Sequence, residues 1–151
     1  SETPPIWHIG DNLPPSALPT VYAASDVLVS ASRGEAFCLP VFEAAASGKP
    51  SDATGWGGMW DILSAESAYP VACDMETVHG AGVRWKHYRA DQKWARPRID
   101  DLRRAMREAH EDAEGRNRKG MRAFATVVER LSPAVAGAGM RDALLDLVKG
   151  I

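Results

Sequence analysis

Two glutamates eight positions apart, Glu35 and Glu43, are the residues of this 151-residue chain best suited to chemistry. Glu35 falls in the polar run Ser32-Arg33-Gly34-Glu35-Ala36. Glu43 falls in an apolar run that opens at Pro40 and closes at Gly48. Proline suits a first helical turn and glycine a helix end, so Glu43 is expected one turn into a helix and Glu35 on the loop before it. The first turn of that helix, roughly Phe37 to Val41, has backbone N–H groups with no partner inside the helix. Such groups favour an anion or a ring of hydroxyl oxygens. A carboxylate held at Glu43 can accept two hydrogen bonds from a cis-diol such as a ribose, and Glu35 can approach a sugar ring or an acceptor. Gly34 is expected to let the loop turn tightly. Gly57 and Gly58 are expected to let a second loop come close. The plainer reading is that Glu35 is a solvated charge and Glu43 a partner of the helix dipole.

The surrounding elements are read as alternating strands and helices. Ile6-Trp7-His8-Ile9, closed by Gly10, is expected to be a short buried strand. Ser16 is expected to cap a helix running to about Ala24, with Pro19 in its first turn. Asp26 to Ser30 reads as a parallel strand covered on both faces. After Lys49-Pro50, Ser51-Asp52-Ala53-Thr54 is the next strand by position, although it is polar for a buried one. Gly55 to Gly58 is a flexible loop, and Met59 to Leu63 a helical turn. Tyr69-Pro70-Val71 and Val83-Arg84-Trp85 look extended, and the rest up to Arg96 reads as loop. Three helices follow, with apolar stripes Ile99/Leu102/Met106/Ala109/Ala113, Met121/Phe124/Val128/Leu131 and Met140/Leu144/Leu147/Val148. Ser132-Pro133 opens the third helix, and Gly137 and Gly139 weaken its first half. The expected fold class is α/β: a Rossmann-like parallel sheet with flanking helices, incomplete at three or four strands, followed by C-terminal helices. Residues 1–97 would form the partial sheet domain, and residues 98–151 helices packed on it.

Composition excludes several classes. The chain is 45% hydrophobic and 25% charged, with a formal charge of -2, so it is neither disordered nor a broadly basic nucleic-acid binder. No apolar run approaches the roughly 20 residues of a membrane span, and no signal peptide is visible. Cys38 and Cys73 are too few for a disulfide scaffold, which leans toward a cytoplasmic, reducing compartment, although they could pair once. They read as buried thiols. His8, His79, His87 and His110 have no ligand spacing, so no metal is expected; His8 could face a cleft from the end of its strand. Arg33 is a surface charge or a phosphate ligand. The tryptophans read as packing residues, with Trp56 able to touch a ligand. Arg116, Arg118, Lys119 and Arg122 read as a solvated helix face, or as a weak attraction to an anionic membrane surface or an acidic partner.

Asp26 to Pro50 resembles the nucleotide-sugar site of family-4 glycosyltransferases, whose mark is a glutamate, seven residues and a second glutamate, here Glu35 and Glu43. The preceding Leu18-Pro19 and Tyr22-Ala23-Ala24-Ser25-Asp26, the Gly48-Lys49-Pro50 exit, the Gly57-Gly58 loop, Ala68-Tyr69-Pro70-Val71 and Trp94-Ala95-Arg96-Pro97 also resemble that family, over about two thirds of the chain. The family consists of retaining enzymes with two Rossmann-like domains. The resemblance implies transfer of a hexosyl group from a nucleotide-diphosphate sugar. Glu43 would hold the donor ribose and Glu35 would lie beside the transferred sugar. The amides of Phe37, Cys38 and Leu39 would bind sugar hydroxyls or diphosphate. No cofactor or metal is implied.

The departures from the family pattern are specific. The family usually has glycine where Cys38 stands, and Ser51-Asp52 replace an apolar pair, so a buried Asp52 would need a partner. The glycine-rich loop that anchors diphosphate and the acceptor domain would both precede residue 6. The chain therefore reads as the C-terminal, donor-binding part of an enzyme, inactive alone. The alternatives are a non-catalytic binding or assembly module, and a chain that completes its open sheet edge with a second chain or as a homodimer. Its expected partners are a nucleotide sugar and a sugar or glycan acceptor.

Overall fold

The computed structural model describes residues 5–80, 88–89 and 91–149. At its centre lies the polar run Ser51–Thr54 (β2), buried at all four positions. It pairs in parallel with Leu28–Ser30 (β1) on one side and Tyr69–Val71 (β3) on the other, giving the order β1-β2-β3. A central strand spends its backbone groups on two ladders, and that pairing overrides the low strand preference of serine and aspartate. Alternate residues then face opposite layers. Ala53 joins Val41, Phe42 and Ala45 of the helix Leu39–Ala46 (α2, following α1 at Leu18–Ala24) in one apolar cluster, which also takes in Ala123. On the other face Tyr69 and Val71 pack against Ala105 and Ala109 of the helix Ile99–Glu111 (α3). Ala123 belongs to Ala113–Leu131 (α4), so α2 and α4 cover one face of the sheet and α3 the other. The class is α/β, with a small parallel sheet between helices.

The helix that carries Glu43 is set by its ends, as the sequence indicates. Pro40 sits in the first turn of α2. Gly48 adopts φ 72° and closes the helix in a Schellman turn. The Lys49 N–H donates to the Ala44 carbonyl and the Gly48 N–H to that of Ala45, both at 2.9 Å.

Other expectations are corrected. Ile6 to Ile9 form no strand: Ile6 and Trp7 are 88% and 87% exposed, and among the described residues nothing supplies that run with a ladder. Trp7 is thus no packing residue, and His8 lies on this exposed segment. Ser16 does not cap a helix. It lies inside a 3-10 turn, Pro15–Ala17, and α1 starts at Leu18 without a side-chain cap. The strand expected over 26–30 shortens to β1, and as an edge strand it leaves Val29 39% exposed. The parallel sheet has three strands, within the three or four expected, and part of the stretch read as loop holds a separate antiparallel pair, Cys73–Thr77 (β4) and Lys93–Pro97 (β5). Val83 to Trp85 and His87 lie outside the described residues.

The three closing helices form, and the expected stripes face the core in part: Leu102, Ala109 and Leu131 pack there. Asp112 breaks the first and caps the second, accepting a hydrogen bond from the Gly115 N–H at 2.8 Å, so Ala113 opens α4 and does not extend the first stripe. Ile99, Met106, Met121 and Val128 are exposed, while Ala105, Ala109, Gly120 and Ala123 are buried. Small residues make the contacts because they let the helices approach closely. The Ser132 hydroxyl accepts from the Val135 N–H at 3.4 Å at the start of Pro133–Lys149 (α5). This helix runs through Gly137 and Gly139 without a break and buries no residue, so the stripe expected on it is exposed.

The basic series on α4 is mostly tied to the body of the chain. Arg116 donates to the Ala109 carbonyl at 2.7 Å and pairs with Asp26. The Lys119 ammonium bonds the carbonyls of Ala65 and Ala68 and lies 4.8 Å from the Tyr69 ring centre. Arg122 pairs with Glu66 and Arg118 with Glu114, and both arginines stay exposed, as a solvated face requires. Among the described residues no helix is long and apolar enough to cross a membrane.

Candidate functional site

β1 ends at Ser30 and the chain runs through residues 31–38 into α2, the carboxyl edge of a parallel sheet, where open α/β sheets bind ligands. Cys38 determines the shape of this loop. Its φ of 64° and ψ of 68° place it in the left-handed region, the one non-glycine residue there among the described residues. That conformation costs a residue with a Cβ about 1–2 kcal/mol. The Cys38 side chain is buried, with its Sγ 3.7 Å from the Ser30 hydroxyl. Cys38 and Cys73 are both free thiols. The tight turn expected at Gly34 therefore belongs to Cys38: Gly34 has no positive φ, and a Cβ on it would meet nothing within 4 Å. Cys38 occupies the N-cap position of α2 without a side-chain hydrogen bond, so the amides of Phe37, Cys38 and Leu39 lie at the positive end of the helix. Phe37 stacks on Phe42 with ring centres 4.3 Å apart, and Leu39 is 62% exposed.

Gly57 and Gly58 bring the second loop against the first, as their type suggests. Gly57 takes φ 110°, and a Cβ on it would lie 2.6 Å from the Glu35 carbonyl oxygen. A Cβ on Gly58 would overlap the Ala36 carbonyl oxygen. Gly57→Ala is expected to lower stability by about 1–2 kcal/mol and to displace the backbone of Glu35. Thermal unfolding measures the first effect and amide chemical shifts of residues 34–37 the second; an unchanged melting temperature refutes this contact. Trp56, half exposed in this loop, remains accessible to a ligand.

Glu43 is half-buried at the edge of a cavity of ≈ 320 Å³ between α1 and α2, walled by Leu18, Pro19, Tyr22 and Ser47 among others. The Tyr22 hydroxyl donates to Glu43 Oε2 at 2.8 Å. Burial, this hydrogen bond and the carboxylate's charge push the Tyr22 phenol up to about 12, so it stays a donor. One bond leaves the carboxylate with capacity to accept others, so an apolar wall beside an oriented acceptor can receive a ring bearing hydroxyls. Tyr22, 21 residues before Glu43, was not read from the sequence as its partner. Leu18 and Tyr22, four apart on one helix face, were the available signal.

Glu35 is exposed on the loop and does not line this cavity, so the structure does not bring the two glutamates to one pocket wall. Arg33 turns away to β4 and β5: its guanidinium donates to Glu76 Oε1 at 2.8 Å and lies 4.8 Å over the Trp94 ring. The Ala95 N–H donates to the Arg33 carbonyl at 2.8 Å, which fixes the strand pair against the loop. Among the described residues no group of three or more His, Cys, Asp and Glu could hold a metal ion. No protein-family model matches the chain, and no curated protein shows significant similarity to it.

Proposed function

We propose that this chain is the donor-binding part of a retaining glycosyltransferase, a Rossmann-like unit that grips a nucleotide-diphosphate sugar at the turn into α2. The observation that carries the reading is the backbone of Cys38. The resembled family has glycine at that position, and φ 64° is a conformation glycine adopts without strain. The turn keeps its form without the residue that favours it, and it gathers the Phe37, Cys38 and Leu39 amides where sugar hydroxyls or a diphosphate would sit. Glu43, held by Tyr22 at the rim of an apolar cavity, is the acceptor for a ribose diol. Glu35 stays exposed on the loop before α2, open to an acceptor.

The charge distribution favours binding without transfer by the chain alone. Among the described residues no Lys, Arg or His lines the Glu43 cavity, and Arg33 is held away from it, against the β4–β5 pair, by Glu76 and Trp94. The departing diphosphate would lack cationic stabilisation here, so turnover needs basic groups from another domain or chain.

Calorimetric titration with UDP, GDP and ADP and their hexose conjugates tests the reading. One nucleotide sugar is expected to bind, with no transfer to added sugars. Glu43→Gln is expected to weaken that binding about 10- to 100-fold, the worth of one or two hydrogen bonds to a charged acceptor. Absence of binding by all three series, or unchanged affinity in the variant, overturns the reading.

A further inference from the structure

We propose a second binding site, for the phosphate group of a small phosphate monoester, in the cleft between the loop after β1 and the β4–β5 pair. The cleft has a volume of ≈ 420 Å³ and is lined by Arg33, Glu76, His79 and Arg96 among others. It is separate from the Glu43 cavity and shares no wall with it. Its charges are layered. Glu76 lies inside, 23% exposed, with Arg33 and Arg96 outside it at 42% and 61%. The Trp94 indole N–H donates to Glu76 Oε1 at 2.9 Å, the oxygen that also takes Arg33, while Arg96 lies 3.6 Å from Oε2. The Trp94 ring under Arg33 holds that guanidinium in place. One carboxylate thus orients two guanidinium groups and neutralises one of them.

The neighbouring arginines differ. Arg98 has Asp74 to itself, and Arg104 is matched by Asp101 and Glu108. Among the described residues the positive excess of this region falls at Arg33 and Arg96. Each guanidinium has five N–H donors and spends a minority of them on Glu76, so planar donor pairs remain for a tetrahedral dianion. His79 adds one more polar edge. Its Nδ1 lies 3.1 Å from the Thr77 carbonyl, to which it donates, so the ring fixes the wall of the cleft and the arginines supply the donors to the anion. A group entering the cleft meets arginines first and the carboxylate behind them, so an anion is favoured over a cation. This inference does not depend on the nucleotide-sugar reading. If both hold, the ester is a phosphorylated acceptor, lying on the Arg33 side of the loop that bears Glu35.

The test is a titration of the full chain with inorganic phosphate, glycerol phosphate and acetate, followed by indole N–H and backbone amide resonances. Both phosphates are expected to shift the Trp94 indole and the amides of residues 33, 76 and 96, with a Kd on the order of 1 mM. Acetate is expected to bind at least fivefold more weakly. Tighter binding of glycerol phosphate than of inorganic phosphate assigns the natural ligand to an ester. Equal binding assigns it to free phosphate and refutes the ester. Arg96→Gln is expected to weaken phosphate at least fivefold, and Arg118→Gln, a surface change on α4, to leave it unaltered. Unmoved Trp94 resonances, acetate binding as tight as phosphate, or equal losses in the two variants overturn the proposal. Failure here leaves the nucleotide-sugar titration at Glu43 untouched, because the two readouts fall on different residues.

Discussion

Asp52→Asn is expected to stabilise the chain progressively as pH rises, widening its advantage over the unaltered protein by about 3 kcal/mol between about pH 4 and pH 7. Asp52 is fully buried in the middle of β2, and neither carboxylate oxygen has a hydrogen-bond partner among the described residues. It faces the α3 side of the sheet beside Tyr69, with Glu108 and Arg104 the nearest charges of consequence. Burial is the main force that pushes its carboxyl from 3.8 up to about 6; Glu108 pushes the same way and Arg104 opposes it. The folded state therefore holds this proton at pH values where the unfolded chain has released it. Stability is full below about pH 4, falls as pH climbs through 6, and levels off above. The amide cannot ionise, so it removes the slope while keeping the size and polarity of the group. Thermal unfolding across this range reads the effect as a difference in melting temperature of roughly 6–12 °C at neutral pH. Parallel pH profiles for the two proteins would mean that Asp52 reaches solvent or a cation.

The same residue shows where the sequence can be read and where it cannot. Single residues with a fixed backbone preference gave sharp boundaries: Pro40 and Gly48 mark the ends of α2 because one lacks an N–H and the other tolerates φ 72°. Elements whose existence depends on a neighbour were not legible from composition, and only its position after Lys49-Pro50 marks Ser51–Thr54 as a strand. Ser51–Thr54 is polar and yet central, while Ile6 to Ile9 is apolar and yet unpaired, because a ladder needs a partner and apolarity does not supply one. Helical periodicity indicated that α3 and α4 exist and put Leu102, Ala109 and Leu131 on their packed faces, but it also put the exposed Ile99, Met106, Met121 and Val128 there. Large apolar residues dominate the periodic signal, whereas Ala105, Gly120 and Ala123, outside the expected stripes, make close contacts. At the site, Glu43 could be placed by its spacing from Pro40. The commitment of Arg33 to Glu76, 43 residues away, rests on strand pairing between β4 and β5 that no local pattern announced.

Two glycines in helices are expected to respond to alanine with opposite signs. In an exposed helix interior this change stabilises by about 0.5–1 kcal/mol, through propensity alone. Gly137 in α5 meets that condition, because a Cβ there would find nothing within 4 Å. Gly120 in α4 does not. A Cβ on it would overlap the Gly48 carbonyl oxygen and lie 3.1 Å from Pro50 Cδ. Those atoms cannot yield easily. Gly48 is fixed by the Schellman turn that ends α2, and Pro50 is buried where the chain enters β2. Gly120→Ala is therefore expected to cost about 2–3 kcal/mol net, the range for overpacking a tight contact. The same displacement would tilt α2 and loosen the Tyr22–Glu43 hydrogen bond. If Gly120→Ala stabilised the chain as Gly137→Ala does, α4 would not be seated on the turn between α2 and β2. The rigid placement of Glu43 at its cavity would then lose its support.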